Sequence, residues 1–242
     1  MADQNATALR SFDQELKRLH DMIAEMGGLV ERELMLSVAA VLEHDSGAAT
    51  QAVELDPQVD AIEREVEKFV IRTLALRQPV ADDLRQVVTA LKITHDLERI
   101  GDYAANVAKR SIVLSEFGAP LNLGALAHMA RLVQEALKVT IDAIGARNTD
   151  LAVQVWQDDS AIDDLYTTIF RELITYMMED PRNITPCTHL LFVAKNLERI
   201  GDHATNIAET LYYAVKGENL PSVRPKSDTS PYASVRAREL SR

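Results

Sequence analysis

Apolar residues recur every three or four positions along most of this chain, a spacing that places them on one face of an α-helix. Strand-like alternation of apolar and polar residues is rare, and turn-forming residues are confined to a few short segments. The pattern therefore predicts an all-α protein with six helices. The predicted helices span residues 7–42, 48–76, 82–117, 123–146, 150–178 and 185–216.

The segments between the predicted helices are short, which predicts that consecutive helices are antiparallel neighbours. Gln78 and Pro79, for example, form the turn between the second and third helices. Within the second helix, Asp56 followed by Pro57 looks like an N-cap with proline at the first helical position. We therefore expect an interruption of the second helix at this point.

One segment of six residues occurs twice. Residues 97–102 read Leu-Glu-Arg-Ile-Gly-Asp, and residues 197–202 repeat this sequence, which we call the hexamer. The residues that follow also agree in part, since both copies continue with alanine and asparagine at matching positions. The chain is therefore predicted to consist of two similar three-helix bundles in tandem, one at residues 1–120 and the other at residues 121–220.

The remaining segment, residues 221–242, is rich in proline, serine and arginine and has too little apolar surface to fold alone. We expect it to be a flexible and mildly basic tail. Two roles fit this composition: an unstructured solubilising end, or an arm for an anionic partner.

The overall composition limits the classes of function. The chain has 26 Lys and Arg against 37 Asp and Glu, a formal charge of -11, which argues against nucleic acid as a general partner. Cys187 is the single cysteine, so an internal disulfide is excluded. The N-terminal segment does not resemble a signal peptide, and no apolar run approaches the roughly 20 residues that span a bilayer. We expect a soluble cytoplasmic protein without direct membrane insertion.

Both copies of the hexamer carry two acidic residues four positions apart. On a helix, Glu98 therefore stands above Asp102 on one face, and Glu198 stands above Asp202. The two carboxylates of each pair repel each other, and the arginine beside each glutamate is not expected to project from the same face. The repulsion must then be offset by a basic group from another helix, by water or by a bound cation.

The second and fifth predicted helices carry acidic pairs with the same spacing, so each half has two pairs on adjacent helices. If the helices lie level, four carboxylates meet in each half, and hard cations such as magnesium, calcium, manganese or iron, or zinc, would neutralise them. A solvated charged face would explain any single pair, but the recurrence in both halves favours metal sites. The candidate metal ligands are Asp56, Asp60, Glu98, Asp102, Asp159, Asp163, Glu198 and Asp202.

Other residues of the chain offer little support for catalysis. No histidine has a glutamate three positions before it, as ferritin-like di-iron oxidases require, and no phosphate-binding glycine loop or nucleophile elbow is present. His203 aligns with Tyr103, and His95 aligns with Lys195, so neither histidine is shared by the halves and we expect rim positions for both. The glycine inside each hexamer indicates a close approach of another group, which tight helix packing would also explain.

These features together resemble the PhoU family of phosphate-signalling regulators. The resemblance rests on the duplicated hexamer, the 77–79 turn followed by Asp83-Leu84-Arg85, and Val59-Asp60, and it covers about residues 7–217. It implies two similar three-helix bundles whose acidic motifs bind multinuclear metal clusters on the bundle surface, and the eight candidate ligands match these motifs. Because Tyr166 stands where the first half has Glu63, the two clusters need not share one ligand set.

The resemblance also implies a function and a location. Members of this family are cytoplasmic, often dimeric adaptors between the ATPase of the high-affinity phosphate ABC transporter and a phosphate-responsive sensor histidine kinase, and they repress the phosphate-starvation response. We therefore expect a non-enzymatic, metal-binding negative regulator that forms a homodimer. The alternatives are a metal-dependent, carboxylate-bridged oxidase or phosphatase, and a simple metal store.

Overall fold

A computed structural model describes residues 2–117 and 122–220, and this part of the chain contains six α-helices and no strands. The all-α prediction is confirmed. The boundaries 1–120 and 121–220 stay a prediction, and the predicted tail at residues 221–242 lies outside the described residues. The helices are α1 (Ala2–Leu42), α2 (Ser46–Arg77), α3 (Ala81–Leu114), α4 (Gly124–Ala146), α5 (Thr149–Glu179) and α6 (Ile184–Lys216), with a 3-10 turn at Pro181–Asn183 before α6.

The expected interruption of the second helix is wrong, because α2 runs unbroken through Pro57. Its N-cap is Asp45, whose side chain accepts hydrogen bonds from the backbone N–H groups of Gly47 and Ala48 at 2.8 and 3.0 Å. A proline inside a helix removes one backbone hydrogen bond. Val59 and other apolar residues on either side of Pro57 are buried, and this packing offsets the lost bond.

The third helix is shorter than the pattern predicts and ends at Leu114. The backbone N–H groups of Glu116 and Phe117 bond to carbonyls three residues earlier, at 3.2 and 3.0 Å, so the chain closes in a tighter turn. At the other end of the molecule, α1 begins at Ala2 and exceeds its predicted length. Both differences concern helix ends, where apolar spacing carries the least information.

The six helices form two groups of three. Helices α1, α2 and α3 pack against one another, α4, α5 and α6 do the same, and α3 packs on α6 while α1 contacts α4. The predicted pair of three-helix bundles is thereby confirmed. One continuous apolar core includes residues from all six helices, so the two bundles share an interior.

The two hexamers lie in the middle of this arrangement, on α3 and α6. Leu97 and Ile100 are fully buried in the core, as are Leu197 and Ile200 of the second copy. The acidic residues of each hexamer project from another side of the same helix. The apolar half of the repeated sequence therefore fixes the position of the helix, and the polar half is left for another role.

The glycine of each hexamer lies against a neighbouring helix, which confirms the predicted close approach. A Cβ atom at Gly101 would lie 3.2 Å from Glu33 Oε2 and 3.4 Å from Val59 Cγ1. At Gly201 it would lie 3.0 Å from Ile162 Cδ1. At these distances an added Cβ would push the facing side chains aside, so glycine favours the close packing of α3 against α1 and α2 and of α6 against α5.

We expect Gly201→Val to lower the free energy of unfolding by about 1–3 kcal/mol, because the added methyl groups would be forced against Ile162. The control is Gly28→Ala in α1, where no described atom lies within 4 Å of the new Cβ. That change should raise the free energy of unfolding by about 0.5–1 kcal/mol, since alanine favours a helix over glycine. Urea unfolding followed by circular dichroism measures both. Equal stability of Gly201→Val and wild type would contradict the close approach.

No helix in the described part of the chain contains an apolar stretch long enough to cross a membrane.

Candidate metal centre

The acidic pairs of the first half come close together where α2 and α3 pack. Burial raises the pKa of Asp56, Lys109 opposes this effect, and the negative charges of Asp102 and Asp60 raise the pKa further. Asp102 lies on α3, whereas Asp56 and Asp60 lie on α2. The two helices therefore bring their carboxylates near enough for mutual repulsion, as the spacing of the sequence predicts.

Glu98 is the most buried candidate ligand of the first half, with 9% of its surface exposed. Burial is the main cause of its raised pKa, and the charge of Asp102 adds to the rise. The positive charge of Arg99 acts in the opposite direction, and Glu63 raises the pKa again. Glu98 thus lies at the centre of a group of charges from two helices.

The second half has the same general arrangement, with deeper aspartates. Asp159 and Asp163 of α5 are both buried, and Thr205 of α6 donates a hydrogen bond to Asp159 Oδ1 at 3.1 Å. Burial raises the pKa of Glu198, the hydrogen bond and charge of Lys195 lower it, and the charges of Asp202 and Asp163 raise it. All four candidate ligands of this half therefore lie near the contact between α5 and α6.

Several of the carboxylates have basic partners on their own helix. Arg99 Nε lies 2.8 Å from Glu98 Oε2 and its Nη1 lies 2.9 Å from Asp102 Oδ2, so the expectation that Arg99 would point away from both is wrong. The arginine side chain is long enough to reach the acidic face from its own position. Lys195 Nζ lies 2.7 Å from Glu198 Oε1, and Arg64 Nη1 lies 3.3 Å from Asp60 Oδ2. A metal ion would have to replace these contacts or share them.

Arg199 behaves differently from its counterpart Arg99. Its guanidinium lies over the ring of Tyr103, 5.4 Å from the ring centre. Tyr103 in turn contacts His203, whose Nδ1 lies 2.7 Å from Asp96 Oδ1. His203 therefore contributes to the contact between α3 and α6.

Three side chains that could hold a metal ion come together beside the predicted pairs, and one of them, Glu98, is also a predicted ligand. Ligand atoms of Glu63, His95 and Glu98 all lie within 4.8 Å of one another, and this is the one such group of His, Cys, Asp or Glu side chains within the described ranges. Sequence reasoning selected Glu98 alone. The missed signal was the placement of His95 three residues before Glu98, with Glu63 three residues after Asp60 on the facing helix.

Glu33 of α1 is a second residue that the sequence reasoning missed. It is fully buried, and neither carboxylate oxygen accepts a hydrogen bond from any described residue. Burial raises its pKa to about 9, and the charges of Asp56 and Asp102 add to the rise. The available signal was an acidic residue in line with the apolar stripe of α1, between Val30 and Leu34.

The second half lacks a counterpart of this glutamate. The alignment that pairs Asp56 with Asp159 pairs Glu33 with Ala136. Ala136 lines a cavity of about 510 Å³ that also reaches Asp159 and Thr205. The two halves therefore share their acidic pairs but differ in what surrounds them.

Two segments of the chain, residues 23–111 and 126–211, each match the model of the PhoU domain. The chain belongs to the PhoU family. The resemblance noted in the hexamer is thereby confirmed, and the two matched segments correspond to the two groups of three helices.

Relatives and solved structures of the PhoU family match nearly the whole chain. A phosphate-specific transport system accessory protein PhoU homolog from Rhizobium meliloti (strain 1021) is 48% identical over 233 residues, 96% of this chain and 98% of that protein. A homolog of the same name from Caulobacter vibrioides is 46% identical, over 91% of this chain and 96% of its own. These relatives are named as accessory proteins rather than as enzymes.

The crystal structure of PhoU from Pseudomonas aeruginosa has a TM-score of 0.83 and 43% identity, and it covers 86% of this chain and 100% of its own. The structure of the phosphate transport system regulatory protein PhoU from Streptococcus pneumoniae has a TM-score of 0.80 and 29% identity, with coverage of 87% and 100%. The fold of this chain is therefore the PhoU fold.

Proposed function

We propose that this protein regulates phosphate uptake and represses phosphate-starvation genes as an accessory protein of a phosphate transport system. One observation carries the proposal: relatives of that name match it at 46–48% identity over nine-tenths or more of its length. In this role it acts in the cytoplasm, as a homodimer, and connects the transporter ATPase with a phosphate-responsive sensor histidine kinase.

The acidic pairs supply the metal-binding part of the proposal. Asp56, Asp60, Glu98 and Asp102 would hold ions in the first half, and the aligned four residues, from Asp159 to Asp202, would hold them in the second. The donor set fits, because these are oxygen ligands of the kind that magnesium, manganese and iron prefer and that zinc also accepts. Burial is the main cause of the raised pKa values of Asp56, Glu98 and Glu198, and neighbouring carboxylates raise them further, so a bound cation would stabilise the ionised form of these groups.

Metal binding would change which partner the surface attracts. Without metal, the chain carries a formal charge of -11 and an acidic patch in each half, which repels acidic partner surfaces. Bound cations make each patch neutral or positive. Metal occupancy thereby becomes the signal that favours either the ATPase or the kinase.

Metal analysis of the purified protein tests the assigned ligands. We expect the double variant Asp102→Ala/Asp202→Ala to lose most of the bound metal, because the two substitutions together remove one carboxylate from each half. The matched control, Asp21→Ala/Asp82→Ala, removes two exposed aspartates outside the acidic pairs and should retain it. An unchanged metal content in the Asp102→Ala/Asp202→Ala protein would refute the assigned sites.

Partner binding and gene expression test the regulatory role. Affinity for the transporter ATPase and for the kinase, measured with metal-loaded and metal-free protein, should differ between the two states, and equal values would reject the metal signal. Removal of the gene should release phosphate-starvation genes from repression. No change in their expression would favour a metal store, and hydrolysis of phosphate esters or consumption of oxygen by the metal-loaded protein would favour an enzyme.

A further inference from the structure

We propose that Glu63, His95 and Glu98 form a mononuclear site for a zinc-class transition metal, separate from the oxygen-only acidic pairs and present in the first half alone. Glu63 extends from α2, and His95 and Glu98 occupy adjacent turns of α3. The site shares only Glu98 with the pairs proposed above. It does not rest on the regulatory role, and because Glu98 is shared, variants at the other ligands are needed to separate it from the oxygen-only pairs.

The distances suit a small tetrahedral ion. Zinc bonds of about 2.0–2.2 Å place neighbouring ligand atoms roughly 3.4 Å apart. His95 Nδ1 already lies 3.4 Å from Glu63 Oε1, and the third ligand atom, from Glu98, lies within 4.8 Å of both. The His95 side chain is 61% exposed and the Glu63 side chain is 31% exposed, so rotation of these two can close the remaining gap.

The ligand types favour zinc or cobalt over magnesium. One imidazole nitrogen with two carboxylate oxygens is a ligand set that zinc accepts, whereas magnesium and calcium select oxygen alone. Three protein ligands also leave one coordination position open for water or for a ligand from a partner. Glu98 supplies a nearly buried anchor that fixes one side of the site.

In the second half, the ammonium group of a lysine occupies the place that corresponds to the proposed metal site. Lys195 occupies the position of His95, and its Nζ lies 2.7 Å from Glu198 Oε1 and 4.9 Å from the centre of the Tyr166 ring. Tyr166 in turn occupies the position of Glu63. One half thus neutralises its hexamer glutamate with an ammonium group, while the other half offers an imidazole and a second carboxylate, which are metal ligands.

Arg99 leaves one oxygen of Glu98 without a hydrogen bond. Its Nη2 donates a hydrogen bond of 3.3 Å to Oε1, whereas Oε2 is buried and accepts no hydrogen bond from the described residues, although Arg99 Nε lies 2.8 Å from it. Arg99 Nη1 also lies 2.9 Å from Asp102 Oδ2. A metal ion bound to Oε2 would therefore satisfy a buried oxygen that accepts no hydrogen bond.

The test uses the full chain after removal of all metal. Cobalt(II) is added first, because a four-coordinate cobalt ion absorbs strongly in the visible range, and zinc is then added to displace it. His95→Ala removes the nitrogen ligand, and His95→Lys introduces the residue type that the second half has at the aligned position, Lys195. His128→Ala is the matched control, since His128 is an exposed histidine on α4. Asp56→Asn/Asp60→Asn weakens the oxygen-only pair and leaves all three proposed ligands.

We expect wild type, His128→Ala and Asp56→Asn/Asp60→Asn to bind one equivalent of cobalt with the tetrahedral spectrum, and zinc to abolish that spectrum. His95→Ala and His95→Lys should lose the spectrum and bind zinc at least tenfold more weakly. His95→Lys should also fold normally by circular dichroism, because the lysine can pair with Glu98 as Lys195 pairs with Glu198.

Three results would overturn the site. The first is a wild-type protein without the tetrahedral cobalt spectrum. The second is a spectrum and zinc affinity that survive in His95→Ala. The third is an equal loss of the cobalt spectrum and of zinc affinity in His128→Ala, which would mean that these metals bind to surface histidines in general. Loss of manganese binding in Asp56→Asn/Asp60→Asn with an unchanged cobalt spectrum would separate this site from the oxygen-only pairs, so either proposal can fail alone.

Discussion

Glu33→Gln is expected to raise the free energy of unfolding of the metal-free protein by several kcal/mol at pH 8, and to change it little at pH 4. Glu33 is fully buried, and its oxygens accept no hydrogen bond from the described residues. Burial, together with the charges of Asp56 and Asp102, raises its pKa to about 9. Glutamine has nearly the same shape and stays neutral at every pH, so the substitution removes the cost of keeping an acid protonated in the core.

The direction of the pH dependence follows from the pKa of Glu33 in the unfolded and in the folded chain. In the unfolded chain its pKa is near 4.5, and in the folded chain it is about 9. Below pH 4.5 both states hold the proton, so the glutamate carries no penalty. Between pH 4.5 and 9 the unfolded chain releases the proton while the folded chain keeps it, and stability falls as pH rises at about 1.4 kcal/mol per pH unit.

Urea unfolding between pH 4 and pH 9, in the presence of a chelator, measures this effect. Glu31→Gln is the control, because Glu31 lies on the same helix and is exposed. It should follow the pH dependence of wild type, whereas Glu33→Gln should show a flatter curve. A wild-type slope in Glu33→Gln would mean that Glu33 is ionised in the folded protein and has found a partner.

The helices and the duplication could be predicted from the sequence because both are local patterns. Apolar spacing identified all six helices, and the repeated hexamer at 97–102 and 197–202 revealed the two bundles. The expected interruption at Asp56 and Pro57 failed for a tertiary reason. A local signal for a helix start was present, but packing on either side of Pro57 carries α2 through it.

The candidate site was predictable only in part, because spacing along one helix says nothing about what another helix brings. The i, i+4 rule selected Glu98 and Asp102 correctly as neighbours on one face. It could not show that Glu63 of α2 approaches His95, or that Glu33 of α1 points toward Gly101. It also misjudged Arg99, since a long flexible side chain can reach a face on which its Cα does not lie.

The two halves repeat the acidic candidate ligands, but they do not repeat the side chains around those ligands. Lys195 pairs with Glu198 where the first half presents His95, and Ala136 replaces the buried Glu33. The alignment made these exchanges visible, but their chemical meaning required the contacts. The halves share one helical frame but surround the hexamer glutamate with different side chains.

A core substitution in the first half is expected to destabilise the second half as well. Leu97 is fully buried in a core cluster that also includes Leu197 and Met129 from the other bundle. Leu97→Ala should lower the free energy of unfolding by about 2–5 kcal/mol, because it removes apolar contacts and leaves a cavity. For a chain of this size, that corresponds to a fall in Tm of roughly 5–15 °C.

Trp156 reports this coupling, because it is the single tryptophan of the chain and lies on α5 in the second half. Its indole N–H donates a hydrogen bond to Glu209 on α6 at 3.0 Å, so its fluorescence follows the packing of that bundle. In Leu97→Ala, the Trp156 midpoint should fall together with the midpoint from circular dichroism, while Ile71→Ala, at an exposed position of α2, should shift neither. An early loss of helix with an unchanged Trp156 midpoint would show that the bundles unfold separately, and the shared core across α3 and α6 would then contribute little to their stability.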